Sequence, residues 1–488
     1  MGAHMFNVFR ILSCLMAILF FVDSMLMTAL ASPSPMPVKV AAGNAHVLLL
    51  TSDGSVWAWG SNDYGECGPY ADGLDTVLKP VRVPISGVKD VAAGHCFSMA
   101  LKNDGTVWVW GSNDFGQLGL GTVDNESHPE PIQVKGLTDI MAIDARSELA
   151  VALGRDGTVW AWGQNDHGQV GDGGPLADPK AVMSSPEEWN KWVSANISVP
   201  TKVVDLSGVD SIVSGGSFAL ALKDDGSVWY WGQNSSVMGD RSLSLSGSIG
   251  TSRPILAQTV DGIRDIGAGS GFALILKDDG TVWGWGTDGD GILGKSTNQS
   301  YVLIYDPVRM PSLSNIRSIA PGANHGAALD GDGNVWTWGS NYKGQIGNGK
   351  VSNDPQLTPY KVPISNVKFI ESGTLFTVAI TDDGSIWAWG FDERGQLGDG
   401  SAGEGLCRPA PVKVQMDLSR QQLTGPCASL MATPHASDVV LSTPSATGVP
   451  SAPSGSSADP GILTAPETMF SVAAFAGIAI YLIKKSKW

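Results

Sequence analysis

Seven times along the chain the same eight residues return, in the pattern D-G-x-[VI]-W-x-W-G. The first copy is DGSVWAWG at Asp53–Gly60, and the others begin at Asp104, Asp156, Asp225, Asp279, Asp332 and Asp383. The starts are 51, 52, 69, 54, 53 and 51 residues apart, a period that belongs to an array of equal supersecondary units. Asp-Gly between two apolar runs predicts a hairpin with a type I′ turn, positive in φ at both central residues. At a strand period of two, W-x-W puts both indoles on one face of the sheet. Fourteen of the seventeen tryptophans sit in these pairs, so every hairpin must press an aromatic face on a neighbour. A ring of sheets leaves no such face in water.

Upstream of each hairpin a short strand ends in a small-residue turn, as in VKVAAG before Asn44 and DVAAG before His95. Downstream, a loop leads to a strand marked by proline at Pro80, Pro131, Pro200, Pro307 and Pro411, with YKVP at Tyr360. The expected fold is all-β: a seven-bladed β-propeller of four-stranded antiparallel blades. The stretch AAGNAHVLLLTSDGSVWAWGSNDYGECG and the later NDFGQLG, NDHGQVG, NYKGQIG and DERGQLG resemble the regulator of chromosome condensation repeat. The resemblance covers residues 38–415. It departs at Gln233, where QNSSVMG is one residue short, and at Arg146, which replaces the glycine of the other six repeats. It implies the propeller. It also brings two known activities of the family: nucleotide exchange in the eukaryotic namesake, and protein binding in secreted members, among them a bacterial inhibitor of β-lactamases.

The ends of the chain read differently from the repeats. With residues 1–5 set aside, Arg10 precedes an apolar run from Ile11 to Met27, and Ala29-Leu30-Ala31 offers a small-x-small cleavage site. Residues 1–31 are read as a signal peptide with a helical core, an uncleaved anchor being the other reading. The propeller fills 32–415. Residues 416–466, rich in Ser, Pro and Thr, read as a disordered stalk. Residues 467–488 read as a hydrophobic anchor helix with a basic tail, from the apolar run Met469–Ile483 and Lys484, Lys485 and Lys487. Stalk, apolar run and tail resemble the sorting tails recognised by exosortase- or archaeosortase-type systems. The expectation is therefore an exported, surface-displayed member, tethered to the membrane through its C-terminal anchor.

The net charge of −16 argues against a nucleic-acid partner. No CxxC, HxH or HExxH is present, and the Asp-Gly runs lack a calcium loop's closing glutamate, so no metal or cofactor is expected. His46 and His325 take the slot of Phe or Leu in other blades and read as core. After signal removal four cysteines permit two disulfides in three pairings, of which Cys407 with Cys427 is preferred because it would staple the tail to the last blade. No nucleophile elbow or catalytic carboxylate pair is seen. The expected function is a non-catalytic scaffold binding an extracellular protein or surface ligand. A hydrolase or lyase acting on extracellular polymer is second, and nucleotide exchange is last.

In a four-stranded meander the loops joining strands one to two and three to four emerge on one face, opposite the Asp-Gly turns. On the loop face, the fourth residue after each WxWG glycine varies: Tyr64, Phe115, His167, Ser236, Asp290, Lys343 and Arg394. The third loop is long, 37 residues from Gly163 to Pro200, and Ser185-Pro186-Glu187-Glu188 predicts a short helix carrying Trp189 and Trp192. Tyr64, Phe115, His167, Trp189, Trp192, Asp290, Lys343 and Arg394 form the candidate binding surface, with aromatic side chains as anchors.

Overall fold

The computed structural model describes residues 35–71, 73–176, 195–233, 250–294 and 302–416. All fall in the first of two units, residues 1–425 and 426–488. Among them, twenty-eight strands form seven four-stranded antiparallel sheets, each built from strands consecutive in sequence. Blade 1 sets the pattern with β1 (Pro37–Ala42), β2 (His46–Thr51), β3 (Val56–Ser61) and β4 (Thr76–Val83). Blades 2 to 7 span Val88–Gln133, Ile140–Lys202, Val209–Thr259, Ile263–Arg309, Ile316–Lys361 and Val367–Lys413. First strands pack on one another in succession, and that of blade 7 packs on β1, so the seven surround an axis and close a ring. No strand crosses from the last sheet to the first.

The Asp-Gly turn differs from its expected type. Gly54 has φ +76° while Asp53 stays in the ordinary region, and Gly54 N–H donates to Thr51 C=O at 2.9 Å. This is a type I turn followed by a left-handed glycine, the three-residue hairpin loop. Asp53 holds it by accepting from Ser55 N–H (3.1 Å) and Thr51 Oγ1 (2.7 Å), a local pairing that keeps aspartate out of the left-handed region. The glycine also joins blades: Gly54 C=O accepts from Val88 N–H at 3.2 Å, and Gly105, Gly280 and Gly333 do the same for Ile140, Ile316 and Val367. A Cβ on Gly54 would stand 3.2 Å from Val88 N.

The second indole of each WxW is fully buried, and it faces the preceding blade. Trp110 Nε1 donates to Glu66 C=O (2.9 Å), Trp162 to Gln117 (2.8 Å), Trp231 to Gln169 (2.9 Å), Trp338 to Ile292 (2.7 Å) and Trp389 to Gln345 (3.0 Å). Trp59 has no preceding blade in sequence and donates to Gln396 C=O of blade 7 at 2.9 Å, which closes the ring with the same bond. Apolar packing follows this geometry: Trp162 of blade 3 sits in one cluster with Phe97, Leu101 and Leu118 of blade 2.

One departure in the repeat is explained by packing. A Cβ on Gly94, Gly215, Gly269 or Gly373 would lie 2.0–2.2 Å from the ring of the Phe three residues on, and His46 and His325 crowd Gly43 and Gly322 alike. Blade 3 has Leu149 at the ring position, opposite Arg146 in the ladder, and so admits a side chain where the others need glycine.

The all-β propeller stands, and its two helical additions do not carry over. The signal helix of 1–31 and the anchor helix of 467–488 lie outside the described residues, as do the stalk and the helix with Trp189 and Trp192. Among the described residues the only helical turn is the 3-10 segment Pro69–Ala71, and no helix is long and apolar enough to cross a membrane.

Trp110→Ala is expected to cost about 3–5 kcal/mol as a large-to-small core change, and Trp59→Ala, at the closing seam, the same. Urea unfolding of the two variants checks this; a much smaller loss for Trp59→Ala would mean a weak seam. Leu149→Phe is expected to destabilise by about 1–3 kcal/mol through overpacking against Arg146. Arg146→Gly with Leu149→Phe should recover part of it, which thermal melts of the two would reveal.

Candidate functional site

Among the described residues, five of the loops after WxWG are built by two side chains, and the loop of blade 5 keeps the first of them. The Asn or Asp that opens each loop accepts the N–H five residues on: Asn62 from Cys67 (2.8 Å), Asn113 from Leu118 (3.3 Å), Asn165 from Val170 (3.0 Å), Asp288 from Leu293 (2.9 Å), Asn341 from Ile346 (3.2 Å) and Asp392 from Leu397 (3.1 Å). The Gln then fixes the variable residue. Gln117, Gln169, Gln345 and Gln396 accept from the backbone N–H of Phe115, His167, Lys343 and Arg394 at 2.8–2.9 Å. Glu66 does this for Tyr64 at 2.9 Å. Five different side chains thus leave one repeated backbone position, each half-buried.

Their surroundings divide them. Lys343 Nζ stands 4.4 Å from the centre of the Phe391 ring of blade 7, and Arg394 reaches across the closing seam to Asp63 at 3.4 Å. His167 pairs with Asp166 at 2.8 Å. Asp290, in the blade whose loop has Ile292 for Gln, is half-buried and its carboxyl is raised by burial and by Asp288. Tyr64 is pushed up to about 12 by burial, with Asp114 adding to it. Tyr64, Phe115 and His167 occupy consecutive blades. Trp189, Trp192 and Ser236 lie outside the described residues. So does Cys427, the chosen partner of Cys407, whose thiol sits at the start of the last strand; Cys67 and Cys96 are free.

Three features of this region were not among the candidate binding residues read from the sequence. At the loop face His95 Nδ1 meets Glu148 Oε1 at 2.8 Å, and Gln117 Nε2 donates to Glu148 Oε2 at 2.9 Å, tying blades 2 and 3. Burial works against the His95 charge, but Glu148 outweighs it and holds the imidazole above its usual range. Arg146 reaches across the axis from blade 3 and donates to Ala268 C=O (2.6 Å) and Pro321 C=O (3.2 Å) of blades 5 and 6. Beside it, Lys39 pairs with Asp90, and burial pushes Asp144 up to about 6 and Glu371 to about 7. The third is Glu66, the one acid among the glutamines, fully buried and bonded to Ser61 Oγ at 2.8 Å. Its departure from GQ to GE was the available signal. Among the described residues no group of three or more His, Cys, Asp or Glu is placed to hold a metal.

A ring of seven four-stranded sheets, every one carrying the DGx[VI]WxWG hairpin, defines a repeat propeller. The chain belongs to the regulator of chromosome condensation (RCC1) repeat family. The family's two repeat models match residues 38–66, 88–117, 209–236, 263–292, 316–345 and 367–396, and 53–101, 104–153, 156–222, 279–329, 332–380 and 383–424. It is 28% identical to the Ultraviolet-B receptor UVR8 of Arabidopsis thaliana over 70% of this chain and 73% of that protein. It is 30% identical to the mitochondrial RCC1 domain-containing protein RUG3 of the same plant, over 65% of this chain and 68% of that protein. The crystal structure of Prp20p from Saccharomyces cerevisiae, described with its binding to Gsp1p and histones, superposes with a TM-score of 0.61 at 22% identity. That likeness covers 78% of this chain and 88% of the other, and speaks to the fold.

These relatives correct the expectations built on the chain ends. A mitochondrial protein, a light receptor and a family named for chromosome condensation do not describe exported, surface-anchored proteins. The placement at the cell surface, the extracellular protein or ligand as partner and the membrane contact through a C-terminal anchor are withdrawn. With them goes the ranking that set nucleotide exchange last on the grounds of export and acidity. What the family supports is a regulatory role in protein binding.

Glu66 yields a pH test. Burial pushes its carboxyl up to about 7, the hydrogen bonds from Ser61 and Tyr64 pulling the other way. From the ordinary 4.5 up to about 7 the folded state holds the extra proton, so this group's contribution to stability falls as pH rises through that window. Glu66→Gln restores the side chain of blades 2, 3, 6 and 7. Its melting temperature should exceed the wild type's at about pH 8 and approach it near pH 5. A difference that does not change with pH would assign the effect to something other than the buried charge.

Proposed function

We propose that this chain is a regulatory, protein-binding propeller without catalysis of its own, and that its partner docks on the loop face. The observation that carries the reading is the repeated backbone position held by Gln or Glu, from which Tyr64, Phe115, His167, Lys343 and Arg394 project. A rigid frame that varies only its side chains is what selective recognition requires, since anchors held in place lose little entropy on binding. Asp290 belongs to the same surface, and Trp189 and Trp192 are proposed to join it beside the aromatic sector.

The chemistry favours a partner with a basic surface. Around the aromatic sector the loop face carries Asp63, Asp114, Glu148 and Asp166, and farther round Asp290 and Glu393, against Lys343 and Arg394. Prp20p is described as binding histones, which are strongly basic, and this precedent agrees with the charge. In this reading the acids raise the rate of encounter and the aromatic groups set the lifetime of the complex.

Alanine at Tyr64, Phe115 and His167 together should weaken retention of the partner, recovered on the immobilised chain from an extract of its own cells, by about tenfold or more. The melting temperature should stay near the wild type's, because these side chains are half-buried at loop tips. Unchanged retention by the triple variant, with loss on altering the Asp-Gly turns instead, would place the partner on the other face.

A further inference from the structure

The ladder between the first and second strands breaks at one place in every blade. In blade 1 Pro37 faces Thr51 and Lys39 faces Leu50, which leaves Val38 unpaired. The same extra residue recurs as Lys89, Met141, Asp210, Arg264, Arg317 and Lys368. A β-bulge re-aims the side chain it carries. Here the bulge lies at the Asp-Gly end of the strand that surrounds the axis, so seven bulges form a mouth around the axis, opposite the loop face. Their residues are exposed or half-buried, Val38 at 47% and Met141 at 44%.

Four of the seven are basic and one is acidic, in a chain whose net charge is −16. Arg264, Arg317 and Lys368 come from consecutive blades. Lys89 Nζ donates to Ile140 C=O at 3.3 Å, Arg317 Nη2 to Val367 C=O at 2.7 Å, and Arg264 Nη2 to Arg317 C=O. Each partner is a carbonyl of the next blade's first strand, so these cations are laid around the rim with their charge uncancelled. Among the described residues none of the four basic groups is in an ion pair with a carboxylate. The neighbouring acids are Asp210 in the ring, Asp90, which Lys39 already holds, and Asp265, whose carboxyl burial pushes up to about 6 while Arg264 pulls it down. Outside the ring stand the seven turn aspartates, of which Asp104, Asp225 and Asp279 are held below the usual range by hydrogen bonds from the Thr or Ser two residues on.

We propose that this bulge ring is a receptor for an acidic peptide segment of a partner protein, which docks over the mouth. Charge complementarity selects the occupant. A narrow run of aspartate or glutamate can reach Arg264, Arg317, Lys368 and Lys89 from above the mouth. A nucleic-acid backbone lying across the face would instead meet the collar of turn aspartates. The inference is independent of the loop-face reading, because it uses the opposite side of the ring and shares no residue with it.

A fluorescein-labelled oligoglutamate peptide, titrated into the full chain at low salt, should bind, and affinity should fall as ionic strength rises. Arg264→Glu/Arg317→Glu/Lys368→Glu should lower the affinity by about tenfold or more. Should that variant fold poorly, Met141→Glu places an acid in the ring without removing any hydrogen bond and should weaken binding several-fold. Tyr64→Ala/Phe115→Ala/His167→Ala should leave it unchanged. No binding, binding unaffected by the ring variants, or loss through the loop-face variant would overturn the proposal. Equal affinity for a single-stranded oligonucleotide of the same charge would overturn the choice of a peptide.

Discussion

The structure depends on the hydrogen bond from a buried indole to a carbonyl one blade back. Burying tryptophan removes a large apolar area from water, but its N–H then needs an acceptor inside the protein. For six of the seven indoles the acceptor is in the loop of the preceding blade, so these blades do not satisfy their own central side chain. A linear array would leave Trp59 without an acceptor and Gln396 C=O without a donor at its two ends. Closing the ring pairs these two orphans with each other. The same logic fixes Gly54, Gly105, Gly280 and Gly333 of the Asp-Gly turns, whose carbonyls take the first N–H of the next blade.

Because the repeated indoles and turn glycines supply the cohesion between blades, side chains vary where neither is involved. The loop position held by Gln is such a place, and the bulge beside the axis is another, although Arg394 and Arg317 there add contacts of their own to a seam. The two lie at opposite ends of the blade and carry opposite charge: acids prevail around the first, and bases line the second. A single propeller thereby offers two electrostatically distinct surfaces without a change in its frame, and long-range attraction can sort partners between them before any close contact forms.

Much of this was legible in the sequence, because the strands follow from period-two tryptophans and repeated turn residues. The Asp-Gly turn was placed correctly but given the wrong type, since one dipeptide serves both a two-residue loop and a three-residue loop ending in a left-handed glycine. Arg146 stood out as a departure from glycine. Its destination did not, because its acceptors are 122 and 175 residues away and only ring geometry brings them near. The bulge ring was hidden for a different reason: an unpaired residue inside a strand has no compositional mark, and its pattern emerges only once seven registers are aligned. The placement at the cell surface failed because a hydrophobic run and a few lysines describe a segment and not a protein's address.

The closing seam has a mechanical consequence. Within the chain, blade 1 is linked to blade 2 by residues 84–87, whereas blade 7 meets blade 1 with no covalent link, makes the same indole bond and donates Thr374 N–H to Gly43 C=O at 3.3 Å, while Pro37 at the head of β1 has no N–H to give the Asp-Gly turn of blade 7. Peptide continuity between blades is therefore not what holds neighbours together; it sets only how often they find each other again after parting. Under tension the ring should behave as a belt with a single buckle, opening first between blades 7 and 1 and leaving the other seams tethered. The order of blades around the circle would survive moving that buckle to another loop by circular permutation.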